Sequence, residues 1–116
     1  MWYSAKKIGI PSIDMEHGNI DTMLSMIITG KVHQQFVGNL IDALLNHFKS
    51  EEEIIRNLGR PFPEDHHAEH EQLSEKLLVK RGEWSAGEID AIILAQEVKL
   101  LLISHVSEFD KFLGAD

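Results

Sequence analysis

The sequence predicts an all-α protein, an up-down-up-down antiparallel four-helix bundle with an N-terminal arm. Apolar residues recur at helical spacing in four segments, and glycine or proline separates these segments. The connections are short enough to join antiparallel neighbours. Because the chain has 116 residues, 43% of them hydrophobic, we expect one domain over residues 1–116 with one core.

The first two predicted helices follow an arm of residues 1–11. The first helix spans about residues 12–29 and stops at Gly30, and the second spans about residues 32–58. Gly59 comes where a C-terminal cap glycine is expected, and the prolines after it prevent the helix from continuing. The predicted buried stripes are Ile13, Ile20, Leu24, Ile27 and Ile28 in the first helix and Phe36, Leu40, Leu44, Ile55 and Leu58 in the second.

The third predicted helix spans about residues 64–81 and the fourth about residues 86–113. Ser85 and Glu88 have the spacing of a capping box, which predicts that the fourth helix begins there. Gly114 is expected to end it. The predicted inward apolar residues are Leu73 and Leu77 in the third helix and Ile89, Ile92, Ile93, Val98, Leu102, Val106 and Phe109 in the fourth.

Charge and composition argue against several classes of function. The formal net charge of −8 disfavours nucleic acid and anionic membrane surfaces as partners, because both attract basic patches. Since the chain has no cysteine, disulfides and thiolate metal sites are excluded. No apolar run is long enough to span a membrane, and the first residues do not resemble a signal peptide. We therefore expect a soluble cytoplasmic protein.

Seven histidines are the unusual feature of the composition, and five of them fall on predicted buried faces. These five, with two carboxylates, are His17 in the first helix, His47 and Glu51 in the second, His66 and His70 in the third, and His105 and Asp110 in the fourth. One buried histidine is more often a core residue with a hydrogen-bond partner than a ligand. Inward histidines on all four helices favour a shared metal site, because burying each one unpaired is costly.

The spacing and the residue types indicate which metal site this is. A spacing of four places two ligands on one helix face, whereas the five residues from His105 to Asp110 correspond to a rotation of about 140°. That spread suits a wide two-metal centre better than a single ion. Imidazole and carboxylate without thiolate fit iron, zinc, copper or manganese. If both carboxylates and an oxygen bridge two octahedral ions, one coordination position remains for a diatomic ligand.

The ordered set of motifs resembles the bacterial hemerythrins, a family of non-haem diiron proteins, over nearly the whole chain. A single H-x-x-x-E or H-x-x-x-H is a weak signal, but their succession across four helices is specific. The segments that carry the resemblance are Trp2, residues 9–17, residues 47–52, Phe62 with Pro63, residues 66–70 and residues 105–110.

The resemblance implies a ligand set and a cofactor of two iron ions bridged by an oxo or hydroxo group. The implied ligands are His66, His70 and His105 for one iron and His17 and His47 for the other, with Glu51 and Asp110 bridging the two. Dioxygen would bind to the iron that has two histidines. The family's function is reversible oxygen binding, so we expect an oxygen carrier, store or buffer and no enzyme beyond a weak peroxidase-like side activity.

Four residues match positions around the family's oxygen pocket. Phe48, Leu102 and Val106 correspond to residues that line it. Leu101 stands where many bacterial members have tryptophan, which would leave extra space beside the site.

Two other functions are compatible with the same pattern. One is a module that senses oxygen, nitric oxide or redox state, which would need an unidentified protein partner or a larger parent protein. The other is a diiron oxidase or peroxidase, although ferritin-like sites are richer in glutamate and carry Glu-x-x-His on two helices.

Three neighbours of the candidate ligands are interpreted as surface residues. His67 lies about 100° around the helix from His66 and is expected to be exposed, the alternative being that it competes with His66 as a ligand. Glu52 and Glu53 are expected to form a solvated face beside Glu51.

Overall fold

Four α-helices form the protein in the computed structural model, which describes residues 9–30 and 36–109 apart from the side chain of Ser107. They are α1 (Pro11–Ile28), α2 (Phe36–Asn57), α3 (Glu64–Ser85) and α4 (Ala91–Glu108). Each helix packs against the next one along the chain, and α1 also packs against α4, which closes the bundle. The predicted all-α four-helix bundle is confirmed.

Parts of the predicted organisation lie outside the described residues. They are most of the N-terminal arm, the predicted start of the second helix at residue 32 and the predicted end of the fourth at residue 113. Within the described ranges, no helix combines the length and the apolarity that crossing a membrane requires.

Glycines in the left-handed backbone region follow the first two helices, as predicted. Gly30 comes shortly after α1 with a φ of 71°, and Gly59 comes shortly after α2 with a φ of 82°. A residue with a Cβ rarely adopts these angles, so glycine ends a helix there at low cost. Pro63 then stands directly before α3 in an extended conformation, where its lack of an N–H removes no helical hydrogen bond.

The boundary between α3 and α4 differs from the prediction. α3 continues to Ser85 instead of ending near residue 81, and Gly87 forms the turn with a φ of 78°. Asp90 is the N-terminal cap of α4, because its carboxylate accepts a hydrogen bond of 2.9 Å from the N–H of Ile93. The predicted capping box at Ser85 is therefore wrong: a sequence pattern for a cap is also compatible with the end of the preceding helix.

The buried face of α4 also differs from the predicted one. Ile92 and Ile93, predicted to point inward, are 41% and 47% exposed. The α4 residues that fill the core are Ala91, Leu94, Ala95, Val98, Leu102 and Val106. Apart from the adjacent Leu94 and Ala95, successive positions are three or four residues apart, and they lie on the face that carries His105. Leu58 is exposed too, since it lies beyond the end of α2.

The apolar core has a large part and a small part. The large part contains Leu24 of α1 and Leu44 of α2, and the small part consists of Ile10, Ile13 and Ile55. Along α1 and α2, the buried His17 and Glu51 come between these two parts, because His17 follows Ile13 and precedes Ile20, and Glu51 follows Phe48 and precedes Ile55. The fold therefore encloses a polar layer between two apolar layers.

We expect Asp90→Ala to lower the free energy of unfolding by about 1 kcal/mol, because the N–H of Ile93 would lose its side-chain acceptor. Ser85→Ala is the matched control and should change it by less than about 0.5 kcal/mol. Urea unfolding followed by circular dichroism measures both values. A larger loss for Ser85→Ala than for Asp90→Ala would show that Ser85 caps the fourth helix after all.

Candidate metal centre

Five buried imidazoles surround the carboxylate of Glu51 inside the bundle. The ligand atoms of Glu51, His66, His70 and His105 lie within 4.8 Å of one another, and so do those of His17, His47 and Glu51. None of these six side chains belongs to a residue more than 4% exposed. The four helices thus bring together every candidate ligand within the described residues. Asp110 lies outside them, so its role stays a prediction.

The two oxygens of Glu51 face different histidines. Oε2 lies 3.4 Å from Nε2 of His17 and 3.2 Å from Nε2 of His47. Oε1 lies 3.2 Å from Nε2 of His66 and 3.2 Å from Nε2 of His70. One carboxylate therefore stands between a two-histidine half and a three-histidine half of the cluster.

The ring nitrogens within each half are close enough to share a ligand. Nε2 of His17 lies 2.9 Å from Nε2 of His47, and Nε2 of His66 lies 3.3 Å from Nε2 of His105. A neutral imidazole has one N–H and one lone pair, so rings that converge through the same nitrogen cannot all form hydrogen bonds with one another.

A metal ion fits this arrangement of donors. Both oxygens of Glu51 and Nε2 of His70 are buried, and none of them has a hydrogen bond within residues 9–30 and 36–109. A buried polar group without a partner is costly, and a metal bound to these atoms would remove that cost. Imidazole with carboxylate is a donor set for a transition metal rather than for magnesium or calcium.

The charge of Glu51 also favours a cation. Burial by itself raises the pKa of this carboxyl group, but contacts with four imidazoles outweigh burial and hold the pKa well below its usual range. Glu51 is therefore a negative charge in the middle of the cluster, in contact with four imidazoles.

Glu16, which the sequence reasoning did not single out, supports the two-histidine half from outside. Its Oε1 lies 2.8 Å from Nδ1 of His47, and its Oε2 accepts a hydrogen bond of 2.6 Å from Ser50. An Nδ1–H that donates to a carboxylate leaves the Nε2 lone pair for a metal and fixes the orientation of the ring. Burial raises the pKa of Glu16, and the contacts with His47 and Ser50 lower it by more.

Glu52 has the same role in the three-histidine half. The prediction that Glu52 is solvated is wrong, because it is only 7% exposed and its Oε2 lies 2.8 Å from Nδ1 of His70. Its Oε1 lies 2.8 Å from Nδ1 of His67 and accepts a hydrogen bond of 3.2 Å from Arg56. Glu53 is exposed, as expected.

His66 and His67 occupy different environments. His66 is buried against Glu51, whereas His67 is exposed and contacts Glu52 and Glu71. The hydrogen bond and the charge of Glu52 raise the pKa of His67. His67 therefore lies outside the cluster, on the surface side of Glu52.

Three of the predicted pocket residues are buried beside the cluster. Phe48, Leu102 and Val106 are buried, and the ring of Phe48 stacks on that of His70 with a distance of 4.7 Å between ring centroids. Leu101 is half-buried instead. It lines a groove of about 760 Å³ on the outside of α3 and α4, next to the exposed Leu100.

This fold and this site define a class: a four-helix bundle protein with a histidine-rich metal site centred on a carboxylate. Over 117 residues the chain is 29% identical to a bacteriohemerythrin of Stenotrophomonas maltophilia, in an alignment that covers 96% of this chain and 76% of that protein. It is also 27% identical over 116 residues to a bacteriohemerythrin of Pseudomonas paraeruginosa, and this alignment covers 95% of the chain and 76% of that protein. The chain is therefore similar to bacteriohemerythrins over nearly its whole length. No protein-family profile and no solved structure matches it.

We expect Glu52→Gln to weaken metal binding by about 10- to 100-fold, because the substitution removes the charge that holds the Nδ1 proton of His70. Glu53→Gln makes the same change of charge at an exposed neighbour and should leave the affinity unchanged. Titration of the metal-free protein with Co²⁺, followed by the visible absorption of bound cobalt, measures both affinities. Equal affinities in the two variants would show that Glu52 does not support the site.

Proposed function

We propose that the protein binds dioxygen reversibly at a pair of iron ions and serves as an oxygen carrier, store or buffer. The observation that carries the proposal is the position of Glu51, with one carboxylate oxygen towards each set of imidazole nitrogens. A carboxylate in that position is suited to bridge two metal ions. The two iron ions would have His17 and His47 on one side and His66, His70 and His105 on the other.

The remaining bridges are proposed from the resemblance of the sequence. Asp110 would be the second bridging carboxylate, and an oxo or hydroxo group would complete the bridge. The similarity to two proteins named bacteriohemerythrin supports iron over zinc, copper or manganese. Bound iron would supply the electrons that make reversible oxygen binding possible.

The unequal halves of the cluster support binding of a small ligand. The half with His17 and His47 offers one imidazole fewer than the other half, so a metal ion there has room for an added ligand. Apolar side chains such as Leu102 and Val106 are buried on α4, the helix that carries His105. A neutral diatomic molecule loses little on leaving water, whereas ions and water itself are disfavoured in such surroundings.

The protein groups around the site hold the ligands still. Glu16 and Glu52 orient His47 and His70 through their Nδ1 atoms, and Phe48 packs against the ring of His70. A histidine-rich set with this support favours binding over oxygen activation, for which ferritin-like bundles use mainly carboxylates. The proposal is tested against two alternative functions. One is a sensor of oxygen, nitric oxide or redox state, and the other is a diiron oxidase or peroxidase.

The test is to load the metal-free protein with ferrous iron under anaerobic conditions. We expect uptake of two equivalents per chain, one for each half of the cluster, and a visible absorption band that forms in air and disappears when oxygen is removed. Glu51→Ala should lose this uptake, whereas Glu53→Ala, altered at an exposed position, should keep it. A plateau at one equivalent would contradict the iron pair, and a band that never reverses would favour an oxidase.

Leu101→Trp should slow the loss of the oxygenated absorption band by about tenfold, which corresponds to about 1.4 kcal/mol in the barrier. Leu101 packs against the apolar core about one helical turn before His105, and a larger side chain there would restrict access of water and anions to the site. Leu100→Trp adds the same bulk at the exposed neighbouring position and is the control. The decay of the band after deoxygenated, iron-loaded protein is mixed with air measures all three rates. Equal rates would show that position 101 does not control access.

A further inference from the structure

Asp21 is a buried carboxylate that is not among the proposed metal ligands. It is only 1% exposed, and its Oδ2 has no hydrogen-bond partner in the part of the chain that the structure describes. A charged group in a protein interior needs a donor or an opposite charge, since removing it from water without one is costly. Its neighbours on the buried face of α1 are Ile20 and Leu24, so an aliphatic residue would be the ordinary choice at this position.

The position of Asp21 along α1 places it next to the cluster. It follows His17 by four residues, which puts the two side chains on one face of the helix, about one turn apart. The same spacing joins His47 to Glu51. The ligand atoms of His17 and His47 form a compact group with Glu51 that does not include Asp21. Asp21 is thus a neighbour of the two-histidine half and not one of its ligands.

The orientation of α1 places Asp21 towards α4. Glu16, Ile20 and Met23 line the groove that α1 forms with α2, so this edge of α1 faces α2. Asp21 is rotated about 100° from Ile20, away from that edge. Because Asp21 is buried and α1 also packs against α4, we place it at the interface between α1 and α4.

The facing part of α4 carries two of the predicted pocket residues. Leu101 lies on the edge of α4 that faces α3, and Leu102 and Val106 are rotated away from that edge and buried. In an up-down bundle α1 and α4 run in opposite directions. Asp21 comes one turn after His17 in α1, and Leu102 comes about one turn before His105 in α4. The two residues therefore lie at the same height along the bundle axis.

We propose that Asp21 is a specificity-determining residue on the α1 side of the ligand pocket and that its negative charge disfavours anionic ligands relative to neutral ones. The inference rests on the proposed binding of a small ligand at the two-histidine half. Coulomb repulsion in the interior is much stronger than in water, so one carboxylate near the pocket is sufficient to weaken the binding of an anion. Dioxygen is neutral and is not repelled.

The test uses azide as an anionic probe of the iron-loaded, air-oxidised protein and nitric oxide as a neutral probe of the ferrous protein. We expect Asp21→Asn and Asp21→Leu to bind azide at least about tenfold more tightly than the natural sequence. Their affinity for nitric oxide should change by less than about threefold, because a neutral ligand has no charge term. Asp42→Asn removes the same charge from an exposed residue on α2 and should leave the azide affinity unchanged.

Two results would contradict the role of Asp21. Unchanged azide affinity in both Asp21 variants would place the carboxylate away from the pocket. Weaker azide binding would show that Asp21 is a protonated carboxylic acid that donates a hydrogen bond to the ligand. The thermal stability of the metal-free protein separately tests whether burial of the Asp21 carboxylate is costly. Asp21→Leu should raise this stability, because it removes a buried group whose Oδ2 has no hydrogen bond to the described residues. Failure of the natural sequence to take up iron would instead contradict the proposed function, whatever the stability measurements give.

Discussion

The contact between a buried carboxylate and the imidazoles around it is the constraint on which the rest of this structure depends. Glu51 is fully buried and ionised, and its two oxygens are each within 3.4 Å of two ring nitrogens. Such a group is tolerated in a core only when its charge is matched. Three helices supply the imidazoles that contact Glu51, and His105 of α4 belongs to the same cluster, within 4.8 Å. The geometry of the site therefore depends on how all four helices are placed relative to one another.

Both polar and apolar side chains stabilise the cluster from outside. Glu16 and Glu52 bind the outer nitrogens of His47 and His70, which aligns the inner nitrogens towards Glu51. Apolar residues such as Ile13 and Leu44 belong to the two core clusters on either side of the polar layer. Rigid packing of this kind holds ligands in place before a metal arrives, which lowers the ordering cost of binding.

The sequence was sufficient to predict the features that depend on one helix at a time. The four-residue spacings of His47 with Glu51 and of His66 with His70 predicted their shared faces, because helical periodicity alone decides this. Glu52 was misread because its burial depends on α3 packing over α2, which no pattern within α2 reveals. The start of α4 was misread for a related reason: α3 continues through Ser85, and only the hydrogen bond of Asp90 shows where the next helix begins.

The central claim is that Glu51 joins two metal ions, and anomalous X-ray diffraction from crystals of the iron-loaded protein tests it most directly. Data collected on both sides of the iron absorption edge locate the iron atoms independently of any assumption about ligands. The account predicts two anomalous peaks, one beside His17 and His47 and one beside His66, His70 and His105, with the carboxylate of Glu51 between them. A single peak within the five imidazoles, or iron bound elsewhere, would contradict it.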